Sequence, residues 1–301
     1  MLASARTLEL APVAGVPIVH ELYDGIELER RDAVEWTGTA ASSAPIVIRH
    51  ELGDARPLGM QSVLSVPPWC TFYLDGAGEP ASLFHAVFGE VDRLLSCVEP
   101  GHTYAVRYAS APTEPVVALQ AELTSVSFAL AARGTGLIAH SCAFVSASGA
   151  GVLCPGISGT GKTTLARLLA DVAPEVRLLT DDRAIVTLEG GDLGLWGSPW
   201  PGAARIAGAG NAPLSTVVFI RHGSSCGARE VPARDAFRRI VNTLSMPLWE
   251  PARVGAALEI VDALVSRARI VEIAFPPTKT GARWVLDVVD RSVPLGSTRA
   301  R

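Results

Sequence analysis

One nine-residue segment, GISGTGKTT over residues 156–164, restricts the fold of this chain more than any other segment. The apolar run GVLCPG leads into it, and KTTLARLLADV, with the apolar spacing of an amphipathic helix, continues from it. A glycine-rich turn between a strand and a helix lets the main chain wrap around a phosphate group, so that N–H groups and the positive helix end face the oxygens. The segment therefore predicts an α/β unit with a phosphate-binding turn.

The segment matches the pattern G-x-x-x-x-G-K-[ST] through Gly156, Gly161, Lys162 and Thr163. Lys162 is one of only two lysines among the 26 Lys and Arg residues, and a compact ammonium reaches the β- and γ-phosphates better than a broad guanidinium does. The Thr163 hydroxyl is the expected Mg²⁺ ligand. The alternative is a glycine-rich turn that binds nothing. The predicted ATP-binding residues are Gly156, Ile157, Ser158, Gly159, Thr160, Gly161, Lys162, Thr163 and Thr164.

Two adjacent carboxylates, Asp181 and Asp182, follow the strand-like run VRLLT, 19 residues beyond Lys162. If that strand lies beside the strand before the turn, both side chains emerge at the sheet edge where ligands of open α/β sheets bind. Asp181 is then expected to hold the metal and Asp182 to accept a proton from an attacking hydroxyl. Ordinary turn chemistry is the alternative for such a pair.

The histidines, and the acidic residues outside the aspartate pair, give weaker evidence for a functional site. His140, in LIAHSCAFV, lies one strand upstream of the turn and is a candidate catalytic residue, although a lone histidine in an apolar strand is also typical of a core. In the first part of the chain we expect a solvated surface for the polar residues His20, Asp24, His50, Glu51 and Asp54.

The organisation of the chain favours two domains. Residues 1–115 read as short apolar runs between turn residues, a β-rich pattern interrupted by one predicted helix over residues 80–98. Residues 116–301 begin with a helix that ends near Gly134 and then alternate strands and helices, which indicates an α/β core and an α+β chain as a whole.

Composition excludes several classes of protein. The net charge of -4 and the pI near 5.9 provide no basic field for nucleic acid. No window approaches the ~18 uninterrupted apolar residues of a membrane span, and the first residues lack the pattern of a secretory signal, so a cytoplasmic protein is expected. Five cysteines at irregular spacings without a CxxC pair predict free thiols.

The order of His140, GISGTGKTT and TDDR resembles the HPr kinase/phosphorylase family, P-loop kinases related to phosphoenolpyruvate carboxykinase. The resemblance covers roughly residues 119–275 and implies a kinase core of that type. It implies phosphate binding by residues 156–164, metal binding by Thr163 and catalytic roles for the aspartate pair and His140. In that family the second aspartate is taken as the proton acceptor, which here is Asp182.

The chain departs from the family pattern at three places. Thr-Thr follows Lys162 where Ser-Glu is common, the later glutamate-bearing segment has no counterpart, and SPWPGAARIAGAGNAPL stands in place of a Pro-Gly-Arg-Asn loop. Arg205 in that stretch is either a phosphoryl-binding cation or a surface residue.

The expected function is a Mg²⁺-ATP-dependent kinase acting on a Ser or Thr hydroxyl of a peptide or protein, with a small-molecule hydroxyl as an alternative. The first domain is expected to select the acceptor. The rival interpretations are an ATPase or nucleotide-dependent switch and a non-catalytic binding module. The sequence leaves a homo-oligomer open.

Overall fold

The computed structural model describes residues 5–29, 43–66, 70–85, 92–245, 251–290 and 298–299. The chain divides into two compact units. The first unit comprises residues 1–31, 38–134 and 246–256, and the second comprises residues 32–37, 135–245 and 257–301. The sequence predicts a boundary after residue 115, whereas this division falls after Gly134 and returns residues 246–256 to the first unit.

The first unit is rich in strands. Among its described residues, eight strands form one sheet in the order β1-β2-β4-β9-β8-β7-β6-β5, and β3 pairs with β10. The strands are β1 (Arg6–Val13), β2 (Val16–Leu22), β3 (Leu28–Glu29), β4 (Ile46–Leu52), β5 (Gln61–Val66), β6 (Cys70–Leu74), β7 (Pro80–Phe84), β8 (Arg93–Glu99), β9 (Thr103–Tyr108) and β10 (Val116–Val117).

Helix α1 (Leu119–Arg133) belongs to the first unit because it packs against the sheet of that unit. The buried Phe128 ring lies 6.3 Å from the ring of Tyr104 on β9. The predicted end is confirmed: Gly134 adopts φ 65°, and its N–H donates to the carbonyls of Ala131 and Leu130.

The helix predicted over residues 80–98 is wrong for the residues that the structure describes. Residues 80–84 form β7 and residues 93–99 form β8, which pair with each other inside the sheet. Val87 and Val91, which contributed to the helical spacing, lie outside the described residues. Buried strands carry apolar residues on both faces, so a short apolar run cannot be told from a buried helix by its spacing.

His20 and His50 are fully buried, so the expected surface position is wrong for both. His20 Nδ1 lies 2.9 Å from His50 Nε2, and His50 Nδ1 lies 2.7 Å from the Tyr108 hydroxyl. Burial, with the charges of His20 and Arg93, lowers the pKa of His50 well below its usual value. The remaining acidic residues of that set, Asp24, Asp54 and Glu51, are exposed or partly exposed.

The second unit alternates strands and helices after residue 135. Its strands are β11 (Gly136–Val145), β12 (Gly151–Pro155), β13 (Arg177–Thr180), β14 (Arg183–Glu189), β15 (Asp192–Trp196), β16 (Asn211–His222), β17 (Cys226–Glu230), β18 (Leu244–Ser245), β19 (Arg269–Phe275) and β20 (Thr298–Arg299). Its helices are α2 (Lys162–Val172), α3 (Ala233–Val241), α4 (Pro251–Arg267, of which residues 257–267 belong to this unit) and α5 (Lys279–Val289).

Strand β11 organises the second unit, because its side chains alternate between two cores. Leu137, Ala139, Ala143 and Val145 face a core that α3 and α4 help to form. Cys142 and Phe144 face a core that α2 and α5 help to form. The strands β11, β14, β15, β16 and β12 pair in a closed circuit, with β19 parallel to β16. The general α/β character of the chain, a strand-rich α+β mixture, is therefore confirmed.

Two further expectations concern cysteines and membranes. All five cysteines are free thiols, as the spacing predicts. Within the described residues, each helix is too short or too polar to cross a lipid bilayer.

Candidate functional site

A junction in the main chain at residues 140 and 141 brings together the distant predicted site residues. The Gly156 N–H donates to the His140 carbonyl over 3.1 Å, and the Ser141 N–H donates to the Asp182 carbonyl over 2.9 Å. On β11, His140 pairs with Arg183 while Ser141 pairs with Pro155. The strand carrying His140 therefore lies between the segment 156–164, which we call the P-loop segment, and the aspartate pair.

The backbone of the P-loop segment has the form that an anion cradle needs. Gly159 and Gly161 adopt φ values of 84° and 101°, which few other residues tolerate. A Cβ added to Gly156 would lie 2.5 Å from the Thr160 hydroxyl oxygen, so a larger residue there would displace the Thr160 side chain. Helix α2 begins at Lys162 without a side-chain cap and without an acid in its first turn. Its first N–H groups therefore remain available to an anion.

Lys162 is folded back onto the segment that it belongs to. Its ammonium donates to the carbonyls of Gly156 over 2.6 Å and Ile157 over 2.9 Å, and the residue is only 5% exposed. Burial lowers the pKa of Lys162, and the Asp182 charge counteracts part of this effect. The side chain thus holds a cation at the centre of the cradle, where its bonds to two neutral carbonyls can be exchanged for bonds to phosphate oxygens.

Asp182 has a side-chain partner at each of its two oxygens. Its Oδ1 lies 2.9 Å from His140 Nε2, and its Oδ2 lies 2.8 Å from Nη1 of Arg183. Burial raises the pKa of Asp182, but the hydrogen bond from His140 and the charge of Arg183 outweigh it, so the pKa is lowered overall. The carboxylate is ionised at neutral pH, and the side chain is 28% exposed, which allows a substrate to reach it.

Asp181 has different partners from Asp182, because it accepts hydrogen bonds from a loop. Its Oδ1 accepts from the N–H groups of Gly202 (2.8 Å) and Ile206 (3.2 Å), and its Oδ2 accepts from Ala204 (2.7 Å). The residue is completely buried. Three main-chain donors therefore occupy both oxygens, which favours a structural role. Metal binding by Asp181 stays a prediction.

The other residues that the sequence predicts to bind ATP or Mg²⁺ differ in their exposure to solvent. Ile157 is 62% exposed, Ser158 and Thr164 are exposed, and Thr163 is partly buried in the first turn of α2. Among the residues that the structure describes, no group of three His, Cys, Asp or Glu side chains is arranged to hold a metal ion.

Two further residues join the site without having been singled out by the sequence. Arg183 is the last residue of TDDR, and its contact with Asp182 follows from their adjacency. His222, at the end of β16, places Nε2 2.7 Å from the Gly159 carbonyl oxygen. The available signal was the position of His222, two residues after the buried run VVFI at the end of a strand. Arg205 adopts φ 57° and is exposed, so its role stays a prediction.

No protein-family model matches this chain, and no curated protein matches it.

Proposed function

We propose that the second unit binds Mg²⁺-ATP and transfers the γ-phosphoryl group to a hydroxyl, that of a Ser or Thr in a peptide or protein. The core would be of the HPr kinase type that the sequence resembles. The observation that supports this proposal best is the junction on β11, where Gly156 of the P-loop segment and Asp182 are hydrogen-bonded to the consecutive residues His140 and Ser141.

The P-loop segment would bind the triphosphate. Main-chain N–H groups and the positive end of α2 would face the phosphate oxygens, and Lys162 would exchange its two carbonyl partners for oxygens of the β- and γ-phosphates. Phosphoryl transfer spreads negative charge over the transferred group, so a preorganised cation lowers its barrier. This role fits a lysine that is buried at the centre of the cradle.

Asp182 would act on the acceptor. Its ionised carboxylate takes the proton of the attacking hydroxyl, the hydroxyl oxygen forms a bond to the γ-phosphorus, and the bond from that phosphorus to the β,γ-bridging oxygen breaks to leave ADP. His140 and Arg183 orient the carboxylate through its two oxygens. Because its pKa is lowered, Asp182 is ionised at neutral pH, which is the protonation state that a general base needs.

Magnesium fits only part of the predicted ligand set. Thr163, in the first turn of α2, would hold it together with phosphate oxygens, whereas Asp181 has both oxygens bonded to the main chain. When bound, the ion would neutralise phosphate charge. Mg²⁺ in nucleotide sites takes most of its ligands from phosphates and water, so one protein hydroxyl with a substrate is a compatible set.

The experiment combines the purified chain with γ-labelled ATP and a cell extract and follows label by mass spectrometry. We expect label on a protein or peptide hydroxyl. Asp182→Asn should lower the transfer rate by about 10²–10⁴-fold, the usual contribution of a general base. Lys162→Ala should lower it by about 10²-fold or more.

Lys279→Ala is the matched control, because Lys279 is the only other lysine and its side chain is exposed, 3.9 Å from Asp171. This variant should keep full activity. Release of free phosphate without a labelled acceptor would favour the rival ATPase, and a fully active Asp182→Asn would refute the role of the base. Circular dichroism would show that each variant is folded.

A further inference from the structure

The second unit also has a cleft between β17 and α3, and none of the residues used in the proposed reaction lines it. Its volume is about 320 Å³. That value lies at the lower end of the roughly 300–1,000 Å³ that is usual for small-ligand pockets. Arg229 on β17 and Arg238 and Arg239 on α3 line it, together with the acids Glu230 and Asp235.

Glu272 on β19 fixes two of these arginines. Its Oε1 accepts from Nε of Arg229 over 2.9 Å, and its Oε2 accepts from Nη1 of Arg239, also over 2.9 Å. Nε of Arg221 lies 3.6 Å from the same Oε1. Three guanidinium groups therefore share one carboxylate that is only 7% exposed. Each guanidinium has five N–H groups and uses few of them here, so donors remain for a ligand.

The guanidinium of Arg239 also contacts an aromatic ring. Its central carbon lies 3.8 Å from the centroid of the Phe219 ring, the geometry of a cation–π contact. A guanidinium that is already oriented loses little conformational freedom when it binds a ligand. Arg238 differs, because its exposed side chain has no hydrogen-bond or ion-pair partner among the described residues.

The charges of the cleft lining predict how substitutions change its affinity for an anion. Arg229, Arg238 and Arg239 contribute three positive charges to the lining, and Glu230 and Asp235 contribute two negative charges, so the lining has one positive charge in excess (3 minus 2). An anion would be attracted to the arginines and repelled by the acids. Removing an arginine and removing an acid should therefore change affinity in opposite directions.

We propose that this cleft binds a small molecule through an oxyanion, a phosphate or a carboxylate, held by Arg229, Arg238 and Arg239. The planar fork of a guanidinium matches both groups with two parallel hydrogen bonds. The limited volume favours a small ligand over a peptide segment. This inference does not depend on the proposed kinase activity.

The experiment titrates the full-length ¹⁵N-labelled protein with inorganic phosphate and, separately, with succinate. We expect saturable shifts of backbone amide signals on α3 and β17. Arg238→Gln should weaken binding about tenfold, the effect of losing a charge-assisted bond pair, and Asp235→Asn should strengthen it. Arg234→Gln is the matched control, because Arg234 is exposed on the same helix but does not line the cleft. Arg229→Gln provides a second cleft variant.

Phosphate also has a place to bind in the P-loop segment, so Lys162→Ala separates the two sites. In that variant the shifts on α3 should persist. A response to phosphate alone would identify a phosphoryl ligand, and a response to succinate alone would identify a carboxylate; both support the site. Three results would overturn it: no saturable shifts on α3 and β17, equal weakening by Arg238→Gln and Arg234→Gln, or saturation by an acidic peptide only.

Discussion

Replacing Asp181 with Asn tests whether this residue anchors a loop or serves the metal. In the structure its two oxygens accept three main-chain N–H groups from residues 202–206. Asparagine has almost the same shape but only one acceptor oxygen. If that oxygen takes the place of Oδ1, the new NH₂ group takes the place of Oδ2, which lies 2.7 Å from the Ala204 nitrogen. Two hydrogen-bond donors would then face each other.

The expected loss of stability follows from these contacts. The Ala204 N–H would lose its partner inside the fold, which costs about 1–3 kcal/mol. The two remaining bonds would change from charged to neutral acceptors, a loss of about 0.5–1.5 kcal/mol each. The sum is roughly 2–6 kcal/mol, which corresponds to a fall in Tm of roughly 4–24 °C for a domain of this size. No methyl or methylene group is removed, so no cavity contributes.

The assay is thermal unfolding without magnesium or nucleotide. Asp182→Asn is the matched control: its ion pairs are partly exposed and contribute at most about 1 kcal/mol. Hydrogen exchange should show faster exchange of the Gly202, Ala204 and Ile206 amides in Asp181→Asn alone. The reasoning would be refuted if Asp181→Asn unfolded like the unaltered protein but lost the stabilisation that magnesium and ATP give.

Two predictions concern the neighbours of the P-loop segment and the response to pH. His222→Ala should raise the KM for ATP about five- to tenfold, which corresponds to a loss of about 1 kcal/mol, because Nε2 no longer fixes the Gly159 carbonyl. The kcat should change less, and His222→Gln should restore part of the lost affinity. An unchanged KM in His222→Ala would contradict this prediction. Because the folded pKa of Asp182 is below 3.8, its ion pairs should stabilise the fold above pH 3.8 and lose this effect as the pH falls through the folded pKa. The difference in unfolding free energy between the unaltered protein and Asp182→Asn should thus be constant above pH 3.8 and shrink below it, and kcat/KM should have no acid limb from Asp182 above that pH. An acid limb near pH ~6 that Asp182→Asn removes would contradict this assignment.

The sequence predicts the local elements of the second unit well. The run KTTLARLLADV and helix α2 cover the same residues, and VRLLT and RIVEIAF lie on β13 and β19. These segments have glycine or polar residues at their ends and apolar residues at a clear period, so the signal is local. Helix α5 was not predicted, although Thr278 caps it through a bond from the Gly281 N–H.

Long-range contacts explain what the sequence does not reveal. Asp181 and Asp182 are adjacent, and only the loop at residues 202–206, more than twenty positions later, distinguishes the anchor from the candidate base. In the sequence, His20 and His50 look like surface residues, because their hydrogen-bond partners lie on separate strands. These partners are the other histidine and, for His50, Tyr108. Burial of a polar residue depends on such partners, which local composition does not encode.

The dependence of the candidate site on β11 also has a consequence for biosynthesis. His140 donates its N–H to the carbonyl of Thr243, so the strand needs contacts from residues that are translated about a hundred codons apart. In a nascent chain, β11 therefore lacks one of its hydrogen-bond partners until Thr243 has left the ribosome. Under the proposed function, a translation product that ends before Thr243 should transfer no phosphoryl group.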